Sequence, residues 1–341
     1  MFFDCLVSLS TAVGKPDFGT LHPFICKVLQ IPFRHKENDL PRLSDNSIAL
    51  GMWWMFLTGL CFVGVTITVR YVGTSVPAAE AAFIRYLAGT LLLLPVFLRG
   101  YGRFRATGAV KIMLWRGIAH GFGVILWFYA MAHIPIAQVT ALGYLTPVVV
   151  TVLAVLFLGE VVQMRRIMAV VAGFVGVLII VRPGFSEVSM GQLAQLATTP
   201  LFAISFILAK KLSDHVEPLL IVASLSLVCT ITLLPVALLN WVQPNATEIA
   251  LLSLTAVLAT LGHYTMTRAF MSAPIGALQP VSFLQLVWAT LAGIVLFGEP
   301  VDQFVLIGGS ILVGSAGYIA HRESVLARRQ KAQGSSVAVE K

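Results

Sequence analysis

Ten apolar segments of about twenty residues follow one another along this chain, at roughly 48–69, 77–98, 109–132, 136–158, 164–181, 190–210, 218–240, 248–270, 275–297 and 303–320. Segments of that length span the hydrocarbon core of a bilayer. A backbone in lipid must bond its own N–H and C=O groups, so each is expected to be a helix. The composition agrees, with 58% hydrophobic and 11% charged residues. A soluble protein of this length needs far more polar surface. In such a soluble protein the net charge of +8 would suggest nucleic acid. Here it is expected in loops on the cytoplasmic side, with no nucleic-acid partner.

Lysine and arginine placement sets the expected orientation. With ten spans, both termini and the even-numbered loops share one side. The terminal tails and even loops hold 19 of these residues, whereas the odd loops hold only Arg70 and Arg182. Arg85 and Arg116 lie inside spans. Both termini are therefore expected in the cytoplasm.

Sliding the chain against itself exposes an internal duplication. At an offset of 139, Pro135-Ile136-Ala137 falls on Pro274-Ile275-Gly276, and Leu158-Gly159-Glu160 falls on Phe297-Gly298-Glu299. At 140, Leu94-Pro95-Val96 falls on Leu234-Pro235-Val236, and at 141 Gly173 and Gly176 fall on Gly314 and Gly317. Each copy holds five spans, an odd number, so the second copy starts from the opposite side. The expected fold is an all-α membrane protein of ten transmembrane helices in two inverted five-helix repeats. The repeats are expected at 47–183 and 188–321, between a disordered cytoplasmic tail (1–46) and a cytoplasmic C-terminal tail (322–341). Met52, just inside the first span, offers an alternative start that would leave the preceding residues outside the native protein.

These motifs resemble the drug/metabolite transporter superfamily, in its EamA-type ten-helix branch. The resemblance rests on Pro135-Ile136-Ala137, Leu145-Thr146-Pro147, Leu156 to Glu160, Gly173 to Gly176 and their counterparts from Gly276 to Glu299. Glu80 to Arg85 is similar to the family's second-helix pattern, and the match covers about residues 48–320. It implies alternating access and small organic substrates, such as amino acids, vitamins, nucleoside-like metabolites or drugs. The stretch from Pro135 to Pro183 looks most like bacterial members, among which riboflavin and S-adenosylmethionine carriers occur. A bacterial inner-membrane location follows, with a small molecule and the lipid bilayer as partners and a homodimer as an alternative to a monomer. The four-helix relatives use a glutamate in their first helix; this chain has no carboxylate between Gly51 and Thr68, so that proton-antiport mechanism does not transfer.

Ionisable groups inside spans are functional candidates by default. Arg85 is either a structural pair with Glu80, a snorkelling cation, or an anchor for a substrate carboxylate or phosphate. His120 and His263, in the equivalent third and eighth spans, either carry a coupling proton or bond a carbonyl at a helix contact. His120 sits within Gly117-x-x-x-Gly121, a helix-packing spacing. The fourth and ninth spans supply further candidates for substrate binding: Tyr144, Thr146, Gln279, Ser282, Phe283, Gln285 and Trp288, with Tyr264 beside His263. Pro147 and Pro280 can break helical bonding there and free carbonyls for a cavity. Glu160 and Glu299 end matched apolar runs, as caps of the next helix or as gating groups.

Cys5, Cys26, Cys61 and Cys229 show no CxxC spacing. No disulfide framework, metal site, cofactor or catalytic residue is expected. A membrane-embedded enzyme would need HExxH, GxSxG or an aspartate pair, and none is present. A scaffold or an amino-acid or drug exporter of the same fold stays open. Direction and coupling ion are not written in the sequence.

Overall fold

The structure is a computed structural model that describes residues 45–158, 164–213, 216–273, 278, 281–282 and 284–339. Its helices are α1 (Asp45–Val72), α2 (Ala78–Ala106), α3 (Val110–His133), α4 (Ile136–Gly143), α5 (Leu145–Leu158), α6 (Met164–Val181), α7 (Met190–Ser213), α8 (Pro218–Leu238), α9 (Ala246–Ser272), α10 (Leu284–Phe297) and α11 (Gln303–Val339). Most helix ends fall within a few residues of the segments read from apolarity. Two run on: α2 reaches Ala106, so Arg99 and Arg105 ride on its last turns, and α11 continues through the C-terminal tail.

Proline marks several starts. Pro77 and Pro135 stand at the N-caps of α2 and α4, and Pro218 opens α8. The missing N–H of proline costs nothing at a position whose amide has no intrahelical partner. The α3–α4 link is only Ile134-Pro135 in extended backbone, the tight hairpin expected from the sequence. The fourth segment is broken at Tyr144, between α4 and α5. Pro147 explains the place: it offers no N–H to the carbonyl of Gly143, and its ring crowds that carbonyl.

Among the described residues, six helical stretches are long and apolar enough to cross a membrane: Ser47–Val72, Ala78–Gly102, Val110–His133, Met190–Ala209, Pro218–Leu238 and Ala246–Ala269. Four shorter apolar stretches, Ile136–Val150, Ile167–Val181, Leu284–Phe297 and Gln303–Ile319, take the places of the fourth, fifth, ninth and tenth segments.

Helices pack in antiparallel pairs drawn one from each half. On α1 and α9, Gly51 meets Ala273, Thr58 meets Thr265, Gly64 meets Leu258 and Thr68 meets Thr255. On α3 and α7, His120 meets Ser205, Gly123 meets Phe202 and His133 meets Gly191. On α2 and α8, Gly100 meets Leu220 while Thr90 Oγ1 lies 2.8 Å from Thr230 Oγ1. Those two threonines are equivalent at the 140-residue offset, so each sits on its own counterpart. Across α4 and α10, the Glu299 carboxylate takes the N–H of Ile136 and the Tyr144 hydroxyl donates to Ser282 O. On α6 and α11, Ser315 donates to the Ala169 carbonyl, and Gly176 and Gly308 approach backbone to backbone. A Cβ at Gly308 would lie 2.5 Å from the Gly176 oxygen, so only glycine permits that approach.

Candidate functional site

The core where α2, α3, α8 and α9 meet holds the charged residues. Arg85 (4% exposed) and Arg116 (3%) are both buried there. Arg85 does not snorkel and makes no ion pair with Glu80. Instead, Glu80 accepts the N–H of Val242 at 2.9 Å. The Arg85 guanidinium lies over the Tyr86 ring, 4.1 Å from its centroid. Nε and Nη1 of both arginines are buried without hydrogen-bond partners. A cation at mid-span costs about 2.5 to 3.5 kcal/mol on insertion scales. The ring contact contributes about 2 kcal/mol at best. Two such cations held together are therefore a net cost to the fold as it stands.

The two histidines meet here. They do not superpose in the repeat, yet their rings lie 5.7 Å apart. His120 shares a hydrogen bond of 3.1 Å with Ser205 and stacks on Phe202 at 4.9 Å. His263 packs edge-on against Phe62 at 5.3 Å, and its Nδ1 is unpartnered. The helix-packing glycines face elsewhere: Gly117 abuts Val228, and Gly121 abuts Leu233, both on α8. The glycine spacing thus accounts for the α3–α8 contact and not for His120. A small cavity of about 10 Å³, room for about one water, opens beside these groups, lined by Arg85, Tyr86, Ser226, Thr260 and His263 among others. Gly89 keeps its wall low, since a Cβ there would touch the Ser226 hydroxyl.

Arg116 was legible by the criterion that picked out Arg85: an ionisable residue inside a span. It stands four residues before His120, on the same helical face. Tyr86 and Cys229, both buried, complete the cluster. Nothing in the sequence marks them, because a lone tyrosine or cysteine in an apolar helix reads as core.

The candidates on the fourth and ninth segments form a second group. Tyr144 bonds Ser282 O at 2.6 Å, and Thr146 is buried beside the α4–α5 break. Gln285 faces Gly59 of α1, and Tyr264 packs edge-on against Trp54 at 6.5 Å. Trp288 shares an exposed stripe with Leu284, Leu291 and Val295. Gln279, Phe283 and Glu160 lie outside the described residues.

Glu299 does cap a helix, but a distant one. Its Oε2 accepts the N–H of Ile136, the first residue of α4, at 3.0 Å. Its Oε1 lies 3.2 Å from Arg70 Nη2. Arg70 also donates to the carbonyl of Ala132 at 2.8 Å. One carboxylate thereby ties α1, the α3–α4 hairpin and α10 together. Arg182, the other odd-loop cation, pairs with Asp302 at 2.6 Å. Both arginines that break the charge alternation are thus neutralised by acids of loop nine. A cleft of about 120 Å³ lies beside Glu299, between α4, α10 and α11.

The EamA-like transporter family matches this chain twice, over residues 49–182 and 189–320. The chain belongs to that family. It is similar to an S-adenosylmethionine uptake transporter of Rickettsia felis, 26% identical over 285 residues, covering 83% of this chain and 97% of the relative. It is also similar to a riboflavin transporter of Vibrio cholerae, 29% identical over 288 residues, covering 82% and 96%. A solved crystal structure shares the fold with a TM-score of 0.53 at 17% identity, over 84% of this chain and 98% of that one. This EamA-family chain is a multi-pass membrane protein that transports a small metabolite. The relatives' names as transporters fit a chain that is not an enzyme.

Proposed function

We propose that this EamA-family protein is a carrier working by alternating access, with ten spans in two inverted five-helix repeats at 47–183 and 188–321. One observation carries the reading. The second span packs antiparallel on the seventh, the fourth on the ninth and the fifth on the tenth, each on its own counterpart. The first packs on the eighth as the third packs on the sixth. Exchanging the halves reproduces the same set of contacts, so a conformation opening to one side has an equivalent opening to the other. The Thr90–Thr230 contact marks the axis of that exchange.

Charge supports both termini in the cytoplasm of a bacterial inner membrane. The odd loops also gather at one end, through Arg70 with Glu299, Arg182 with Asp302 and Glu80 with Val242. On this reading Glu299 is a lock on the outer gate. The cluster of Arg85, Arg116, His120 and His263 is the central site, with His263 and His120 carrying a coupling proton. Tyr144, Thr146, Ser282 and Gln285 line the path across the α4–α5 break. The relatives' names point to a vitamin such as riboflavin, or to S-adenosylmethionine, as cargo. Uptake of both labelled compounds into proteoliposomes, with and without a pH gradient, tests the proposal. Saturable, competable flux is expected. Its absence for every metabolite tried would sink the carrier reading.

A further inference from the structure

The unpartnered polar atoms in the central cluster are nearly all donors. They are Nε and Nη1 of Arg85, Nε and Nη1 of Arg116, the Tyr86 hydroxyl, which faces the Arg85 guanidinium and the Cys229 thiol without a well-aligned bond, and Nδ1 of His263. Four of these six can only donate. Among the described residues no carboxylate pairs with either arginine. Glu80, also buried, is tied by its Oε2 to the Val242 N–H, and its unpartnered Oε1 makes no ion pair with Arg85. Both guanidiniums lie near enough to Tyr86, Cys229 and His263 to interact electrostatically with each. Arg85, Tyr86 and His263 line the cavity directly. What the cluster lacks is therefore a buried acceptor carrying negative charge.

We infer that this cavity binds the carboxylate or phosphate of an organic anion, with Arg85 and Arg116 as its two cationic partners. This names the substrate class for the central site and rests on the carrier reading above. A guanidinium gives a carboxylate or phosphate charge-assisted N–H bonds, and Nε and Nη1, on different edges of each planar group, supply separate unpartnered donors. The Tyr86 hydroxyl and His263 Nδ1 take remaining oxygens or a polar ring substituent. The aromatic neighbours Phe62, Phe202 and Tyr86 suit a planar body attached to the acidic group. In this conformation the cavity has room for about one water, so an organic anion enters only as the helices part. Because bilayers also carry anions, the same chemistry could come from a lipid phosphate, and the test separates the two sources.

The experiment compares matched probes differing in one acidic group: flavin mononucleotide against riboflavin, and nicotinate against nicotinamide. Binding is measured calorimetrically to the full chain in phosphatidylcholine nanodiscs. In at least one pair the anionic member is expected to bind at least tenfold more tightly. Arg85→Gln and Arg116→Gln should each remove that preference, and Arg85→Lys should restore part of it. Equal binding within both pairs, or no binding by any probe, overturns the assignment in the wild type and needs no variant to fold. A preference seen in zwitterionic phosphatidylcholine but abolished in phosphatidylglycerol nanodiscs, where a net-anionic headgroup competes, also overturns it by making the ligand a headgroup. Saturable riboflavin uptake without an anion preference refutes the anion class and leaves the carrier reading standing. An anion preference without any flux does the reverse.

Discussion

Replacing Glu299 with glutamine tests the outer lock with almost no change of shape. The carboxylate holds two partners, Arg70 at 3.2 Å and the Ile136 N–H at 3.0 Å. The Glu299 side chain is 10% exposed and that of Arg70 23%, so the pair is shielded but not dry. Such a half-screened pair contributes about 1 kcal/mol. An amide oxygen still accepts from Ile136, but exchanging a charged acceptor for a neutral one loses about 1 kcal/mol more. The total, about 2 kcal/mol, shifts an equilibrium by roughly 30-fold. On the carrier reading proposed above, these bonds are lost when the outer ends of α1, α4 and α10 part, so the shift favours the outward-open state. Spin labels at Tyr71→Cys and Phe185→Cys, in a background without Cys5, Cys26, Cys61 and Cys229, report the outer opening by double electron–electron resonance. Glu299→Gln should move most of the population to longer distances. Arg70→Gln should move it less, and the double variant should add little to Glu299→Gln, since the two groups form one unit. Superimposable distance distributions for wild type and Glu299→Gln would refute the gate and leave only a helix cap.

Three further outcomes are expected. Gly308→Leu should destabilise the protein by about 1 to 3 kcal/mol through overpacking at the Gly176 backbone, whereas Gly314→Ala, with open space around it, should be neutral or slightly stabilising; thermal unfolding in detergent compares them. Asn245 and Glu248 form a reciprocal capping box at the start of α9, so Asn245→Ala should cost about 1 kcal/mol and speed amide exchange in that first turn. His263→Ala should abolish uptake driven by a proton gradient while substrate exchange persists. An unchanged pH-driven flux ends the coupling role of that residue.

Much of the fold was legible because bilayer thickness imposes its length on the sequence. The apolar runs ending at Val181 and Phe297 stop where α6 and α10 stop. The α3–α4 hairpin was visible in Ile134-Pro135, since proline cannot extend the preceding helix. The site was legible one residue at a time. Arg85, His120 and His263 stood out as costly groups in apolar surroundings, and by the same reasoning Arg116 belonged with them. Pro147 was visible as a break, though the break itself falls three residues earlier, at Tyr144, next to the Gly143 carbonyl that proline cannot serve.

What the sequence by itself determined is a set of apolar helices in two similar halves, with charge gathered at their ends apart from Arg85 and Arg116. That much follows from solvation, which each residue registers locally. Only the tertiary structure decided which faces meet. Lipid is as apolar as leucine, so no hydrophobic pattern tells a helix which side to turn toward its neighbours. Small local shapes decide instead. Gly176 packs on Gly308, while Gly314, the repeat counterpart of Gly173, faces open space. His120 and His263, out of register in the repeat, are brought together by the crossing of α3 and α9. The Glu299 carboxylate caps a helix 163 residues away in sequence. Helix–helix packing, and not the composition of any one helix, places two buried arginines in one cluster, with Arg85 lining its cavity.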